Sequence, residues 1–338
     1  MADDGFITKQ TLRKLLKTLS EDKVLVGPVN TGKTVEYQAA SADELLMDDQ
    51  VSYKTFKEFY FPQVEKLLTF TEDEAIENTE PEPAVIFGAR PCDLEALRVM
   101  REVFMEGRYA DPFFARHMDA NLLIGVGCAE KKPGCFCDAL GLDKGFSDFC
   151  DIFLMPVTAE LSLSGEENGY QVTFLNDKGR AVLNALPETK QITCDNSVIA
   201  AVPNCDCIGI DKETEEAELF DCIDWKLATA TCQGCGLCTY ICPTCHCFEF
   251  KDVKQGETVE RFRCWDSCIY PRFTLHASGH NPRATRAERY RQRVLHKYLY
   301  VKKNTGYAAC TGCGRCLRSC PVGMNIKAVV QSIMEVRK

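Results

Sequence analysis

Two stretches of the chain set cysteines at the same spacings: Cys232-Gln-Gly-Cys235-Gly-Leu-Cys238-Thr-Tyr-Ile-Cys242-Pro243 and, 78 residues later, Cys310-Thr-Gly-Cys313-Gly-Arg-Cys316-Leu-Arg-Ser-Cys320-Pro321. Three thiolates at steps of three wrap one face of an iron–sulfur cubane, and the small residues between them leave backbone amides free to hydrogen-bond its sulfides. The fourth cysteine of each run points elsewhere, and the proline after it turns the chain away. In two-cluster proteins that fourth cysteine ligates the other cluster. The pattern therefore assigns Cys232, Cys235, Cys238 and Cys320 to one 4Fe–4S centre, and Cys310, Cys313, Cys316 and Cys242 to a second. Cys-x-x-Cys pairs also bind zinc, but zinc takes four ligands and has no use for the whole run given twice.

The chain holds 21 cysteines in 338 residues. Cys128, Cys135 and Cys137 follow an apolar run, and Cys92 opens a helix after another, where free amides favour an anionic thiolate. These four predict a third cluster, with Asp93 as an alternative ligand to Cys92. The competing reading is that they are small buried hydrophobes. Cys245, Cys247, Cys264 and Cys268 suit either a fourth centre or packing around the first. Cys150, Cys194, Cys205, Cys207 and Cys222 show no partner pattern.

Positioning these thiols requires an α+β chain. An N-terminal α/β unit is expected over residues 1–220, with a helix whose Leu12, Leu15, Leu16 and Leu19 share a face. Its strands are expected at 24–29, 35–40, 83–89, 121–126, 151–157 and 170–175, with a short helix near 179–186. Arg90-Pro91-Cys92-Asp93 reads as a helix start, with proline early and an acid in the first turn. The acidic run 211–218 marks the boundary to a unit over 221–338. That unit is expected to be mainly helical, with apolar stripes at Tyr290, Val294, Leu295 and Tyr298 and at 326–336. The 67 residues between Cys242 and Cys310 exceed the needs of a compact ferredoxin and predict an α-helical ferredoxin arrangement.

Gly27-Pro-Val-Asn-Thr-Gly32-Lys33-Thr34 matches the phosphate-loop pattern. Such a loop must open a helix, whereas Val35-Glu-Tyr37-Gln-Ala39 alternates like a strand, so a hairpin turn is expected. No G-x-G-x-x-G occurs, which places any dinucleotide site on another chain of a complex.

The net charge of −9 argues against nucleic acid. Nine Lys or Arg against one acid between 272 and 303 offset cluster charge or dock an acidic partner. The N-terminus lacks a basic region followed by an apolar stretch, the sign of a signal peptide. Apolar runs such as 122–127 fall short of the roughly 18 residues of a membrane span. A cysteine-rich chain in a reducing compartment spends thiols on metal, so the expected location is cytoplasmic.

Phe87-Gly-Ala-Arg-Pro-Cys-Asp-Leu-Glu-Ala-Leu97, Cys135-Phe-Cys137, Cys242-Pro-Thr-Cys-His-Cys-Phe248, Trp265-Asp-Ser-Cys268 and the second ferredoxin motif resemble a known family, from about residue 84 onward. It comprises the iron–sulfur beta subunits of cytoplasmic sulfhydrogenases and the corresponding iron–sulfur subunit of anaerobic sulfite reductase. The resemblance implies an electron-transfer role, with a flavin- and NAD(P)H-binding subunit on one side and a catalytic redox subunit on the other. Hydrogenase, sulfite reductase and heterodisulfide-reductase-like partners are all compatible, the catalytic centre being expected on that partner chain. The rival is a catalytic iron–sulfur centre of the chain's own near Cys245–Cys268, acting on a disulfide or sulfur substrate. Adjacent Cys-Cys pairs, which such sites use, are absent.

Overall fold

The computed structural model describes residues 4–47, 51–77, 80–106, 109–157, 169–182 and 207–337. Eleven strands lie among the described residues: β1 (Asp4–Thr8), β2 (Val24–Asn30), β3 (Val35–Ala39), β4 (Val64–Phe70), β5 (Ala75–Glu77), β6 (Ala84–Ala89), β7 (Leu122–Val126), β8 (Ile152–Val157), β9 (Gly169–Phe174), β10 (Phe248–Gln255) and β11 (Thr258–Trp265).

β6 and β7 are uninterrupted apolar runs, and every position in them is buried. Parallel strands covered on both faces read this way. They lie in the middle of a seven-stranded sheet of order β1-β9-β8-β7-β6-β2-β3. β8, β7, β6 and β2 run parallel, flanked by β9 and β3, which run against them, with β1 antiparallel to β9 at the edge. Alternate residues feed two cores. Val85, Phe87 and Ile124 meet Leu12, Leu15 and Leu16 of the helix Lys9–Leu19; Ile86, Leu123 and Phe153 meet Leu94, Leu97 and Met100 of the helix Pro91–Met105. Each such side chain contributes about 1.5–3 kcal/mol on burial.

Local chemistry sets the helix starts. Thr8 Oγ1 accepts from Thr11 N at 3.1 Å, and Pro91 follows the extended Arg90, where a missing amide hydrogen costs nothing. The strands expected from the sequence are present to within a residue or so. The helix expected near 179–186 is Asp177–Ala181, and residues 183–206 lie outside the described residues.

The chain beyond 221 departs from a mainly helical expectation by one long hairpin. β10 and β11 pair from Phe248↔Trp265 to Gln255↔Thr258. Gly256, at φ 62°, opens the two-residue turn that suits twisted strands. β11 then pairs with β4, and β4 with β5, so strands from both sides of residue 220 share one sheet. Buried Arg263 of β11 fixes it, ion-paired with Glu65 and Asp111 and stacked over Phe61 and Phe248. The acidic run at the expected boundary is also engaged. Glu216 accepts from Tyr300 Oη, Glu218 pairs with Arg337 at 2.7 Å, and Leu219 is buried.

The stripes at 290–298 and 326–336 build a third core with Trp225, Leu219 and Ile269. The helix Arg286–Leu295 starts on a Thr285/Glu288 capping box and runs through a π turn, His296–Tyr300, into Val301–Thr305. The fold is α+β. Among the described residues no helix is long and apolar enough to cross a membrane.

Candidate metal centres

Both ferredoxin-type loops reach the same backbone shape through glycine. Gly234 and Gly236 have φ of 70° and 76°, and Gly312 and Gly314 of 63° and 71°. Only a residue without Cβ adopts this freely, and the resulting turn gathers amides into a concavity suited to an anion. A one-turn helix follows each second glycine, Leu237–Tyr240 and Arg315–Arg318.

Cys232, Cys235, Cys238 and Cys320 line one cavity, walled by Ile269, Tyr290, Arg293 and Ile326. The last cysteine of the second loop thus stands with the first three of the first, and its Sγ accepts from Met324 N at 3.2 Å. In return Cys242 stands with the second loop: the thiols that act on Cys316 are Cys313, Cys242 and Cys310. Burial pushes Cys313 up to about 11 and raises Cys316 and Cys238 as well. These thiols are protonated at neutral pH until a metal displaces the protons. Cys242 is the exception, held well below the thiol range by a hydrogen bond with Cys245, with help from Lys297 and Arg293.

Three buried cations face these thiols: Lys57, Arg293 and Lys297. Arg293 donates to Cys245 Sγ at 3.2 Å and to the Cys238 carbonyl at 2.8 Å. Lys297 Nζ donates to Thr244 Oγ1 at 2.6 Å and to the Ala309 carbonyl at 2.9 Å. Lys57 Nζ reaches the Cys245 carbonyl at 2.8 Å and lies over the Trp265 ring; burial lowers it to about 8. Among the described residues none of the three has a carboxylate partner. A buried charge without a counter-charge costs several kcal/mol, and a four-thiolate cluster is an anion. Two buried hydroxyls, Tyr298 Oη against the Cys310 thiol and Thr311 Oγ1, have no oxygen or nitrogen partner among the described residues. Cations without anions and donors without acceptors both fit a sulfide-bearing anion held by these thiols.

Cys92, Cys128, Cys135 and Cys137 line another cavity, together with Arg90, Lys131, Lys144 and Cys313. Cys92 and Cys128 follow the carboxyl ends of neighbouring parallel strands β6 and β7, the edge where such sheets gather ligands. The Cys135–Cys137 loop lies on the second ferredoxin loop, with Phe136 N donating to the Gly312 carbonyl at 2.7 Å and Cys135 Sγ to that of Cys313 at 3.4 Å. Asp93, expected as an alternative ligand, is committed elsewhere. Both its oxygens accept from buried Arg315, at 2.6 and 2.7 Å, and Arg315 also donates to the carbonyl and hydroxyl of Ser52.

Of the fourth cysteine group, Cys264 stands apart. It opposes Glu249 and Val64 on the sheet face away from buried Arg263. Cys245 instead neighbours Cys242, and Cys247 neighbours Cys268. Cys150 is buried with its thiol raised by desolvation, and Cys222 donates to the Leu219 carbonyl at 3.3 Å. Cys194 and Cys205 lie outside the described residues. The phosphate-loop look-alike is the expected hairpin: β2 and β3 pair up to Asn30↔Val35, and Asn30 Oδ1 accepts from Gly32 N at 2.9 Å.

Over 328 residues, 94% of this chain and 94% of the other, the sequence is 29% identical to sulfhydrogenase 2 subunit beta of Pyrococcus furiosus. Residues 231–324 match the 4Fe-4S dicluster domain. The similarity to that beta subunit extends into the first 83 residues, beyond the span whose motifs carry the resemblance. The dicluster match holds both ferredoxin loops, the hairpin between them, and Arg293 and Lys297. The dicluster domain and this similarity together support an iron–sulfur electron-transfer role.

Sequence reasoning misses Lys57, the Asp93–Arg315 pair and Tyr298. Only the excess of basic residues in 272–303 hints at Arg293 and Lys297, and it does not tell which of them turn inward.

Proposed function

We propose that the chain relays electrons, within a cytoplasmic complex, between a subunit that binds flavin and NAD(P)H and a catalytic redox subunit of hydrogenase, sulfite reductase or heterodisulfide-reductase-like chemistry. Cys232, Cys235, Cys238 and Cys320 hold a first 4Fe–4S cluster, Cys310, Cys313, Cys316 and Cys242 a second, and Cys92, Cys128, Cys135 and Cys137 a third. Such clusters supply one-electron chemistry, tuned by hydrogen bonds, charge and burial. The supporting observation is that the cavities share walls. Cys316 of the second set borders the first cavity, and Cys313 of the same set borders the third. The centres then form a row with the second in the middle. Its ends open at exposed Cys235 and beside exposed Lys131 and Lys144.

Anaerobic purification with iron, sulfide and zinc analysis tests this. Three clusters require about twelve irons per chain and two require about eight. Stoichiometric zinc without iron overturns the relay. A Cys92→Ser/Cys135→Ser chain should lose one cluster's iron and keep the other two. Co-purification of a flavoprotein and a redox catalyst supplies both ends of the relay, whereas a stably monomeric chain removes them. Turnover of a disulfide by the isolated chain would favour a catalytic centre near Cys245–Cys268 instead.

A further inference from the structure

The two ferredoxin-type centres differ in what surrounds their sulfur. Around the first, Cys235 is exposed, Met324 N donates to Cys320 Sγ at 3.2 Å, Arg286 and Tyr270 donate to the Cys232 and Cys235 carbonyls, and Arg293 is shared by both centres. Around the second, Lys297 acts on Cys242 and Cys310, and Tyr298 on Cys310 and Cys316, while Thr311 directly follows Cys310. Lys297 and Tyr298 sit together in the π turn, both buried. The Lys297 ammonium has only neutral oxygens as hydrogen-bond partners. The buried hydroxyls of Tyr298 and Thr311 have no oxygen or nitrogen partner among the described residues, and that of Tyr298 leans on the Cys310 thiol.

Reducing a cluster adds one negative charge, so nearby cations and hydrogen-bond donors favour the reduced form. Burial of Cys242 and Cys313 opposes this, because a low dielectric disfavours added charge. The same low dielectric strengthens the Lys297 charge and the two buried hydroxyls, and these outweigh it. We propose that Lys297, Tyr298 and Thr311 make the centre of Cys310, Cys313, Cys316 and Cys242 the higher-potential member of the ferredoxin pair, the two hydroxyls donating to its sulfur. It therefore takes the first electron and holds it in the middle of the row. This rests on the ligand assignment above, and it adds residues whose role is to position charge and protons, not to ligate.

The test is an anaerobic redox titration of the iron-loaded full chain, followed by electron paramagnetic resonance, with iron counted for every variant. Cys235→Ser, at the exposed ligand of the first centre, marks that centre's signal. Tyr298→Phe and Thr311→Val should each lower one midpoint potential, and that midpoint should be higher than the one marked by Cys235→Ser. Lys297→Met should lower it furthest, by at least tenfold in the reduction equilibrium, about 59 mV for one electron; Lys297→Arg should restore most of the loss. Should Lys297→Met shed iron, Tyr298→Phe decides alone, since it removes one oxygen and nothing else. Unmoved midpoints at full iron content overturn the proposal, as does movement of the lower midpoint. A wild-type chain without two clusters would overturn the ligand assignment itself, which the iron count registers separately.

Discussion

The loops at Cys232–Cys242 and Cys310–Cys320 share spacing, two left-handed glycines and a one-turn helix, yet they differ in what presses on them. The first lies near the surface. A methyl group at Gly234 would meet nothing closer than Arg286 at 3.9 Å, and half-buried Leu237 stands between Gly236 and Cys238. The second is enclosed. The residue matching Leu237 is Arg315, 1% exposed and clasping Asp93, and a methyl group at Gly312 would fall 2.5 Å from Cys137 N. A motif therefore determines how a cluster is gripped, while residues far away in the chain determine what the cluster feels.

Iron removal should separate the two surroundings most. Without a cluster, Lys57, Arg293 and Lys297 are left buried beside thiols that burial keeps mostly protonated, at a cost of several kcal/mol. Chelation should release hydrogen-exchange protection along 286–305 and leave the Lys9–Leu19 helix protected. Unchanged protection at 286–305 would mean that those cations need no cluster.

Asp93→Ala comes next. It leaves the Arg315 charge buried and unpaired, and should cost about 3–5 kcal/mol in urea unfolding. Leu237→Ala, at the matching position of the first loop, should cost about 1 kcal/mol. Equal losses would erase the contrast between the loops.

The glycines give the smallest and sharpest test. Alanine at either Gly312 or Gly234 meets left-handed strain of about 1–2 kcal/mol, but only at Gly312 does the methyl collide with backbone. Gly312→Ala should lose iron from the second and third centres, while Gly234→Ala should keep its full complement. Similar iron contents in the two variants would show that the Cys135–Cys137 loop yields readily.

Much of this is legible in the sequence because it is local. Unbroken apolar runs give β6 and β7, helical periodicity gives the stripes at 290–298 and 326–336, and the failure of Val35–Ala39 to continue as a helix gives the β2–β3 hairpin. The rest depends on distance along the chain. Lys57 meets Cys245 across 188 residues and Arg315 meets Asp93 across 222, and no periodicity records such pairs. The hairpin at 248–265 hides because β10 is largely exposed and mixes charge into both faces. Cys264 is misgrouped through strand parity alone: one step along β11 turns a side chain from the Arg263 core to the opposite face.

The sheet that joins β4 to β11 bears on how the chain can be divided. A cut after residue 220 would leave β11 with a bare edge and Arg263 stripped of Glu65 and Asp111. It would also remove Lys57 from the thiols and Asp93 from Arg315. The cluster-bearing half is therefore no portable cassette: it should not be expressible alone, and grafting it onto another protein would require carrying β4, the 91–105 helix and their acids along with it.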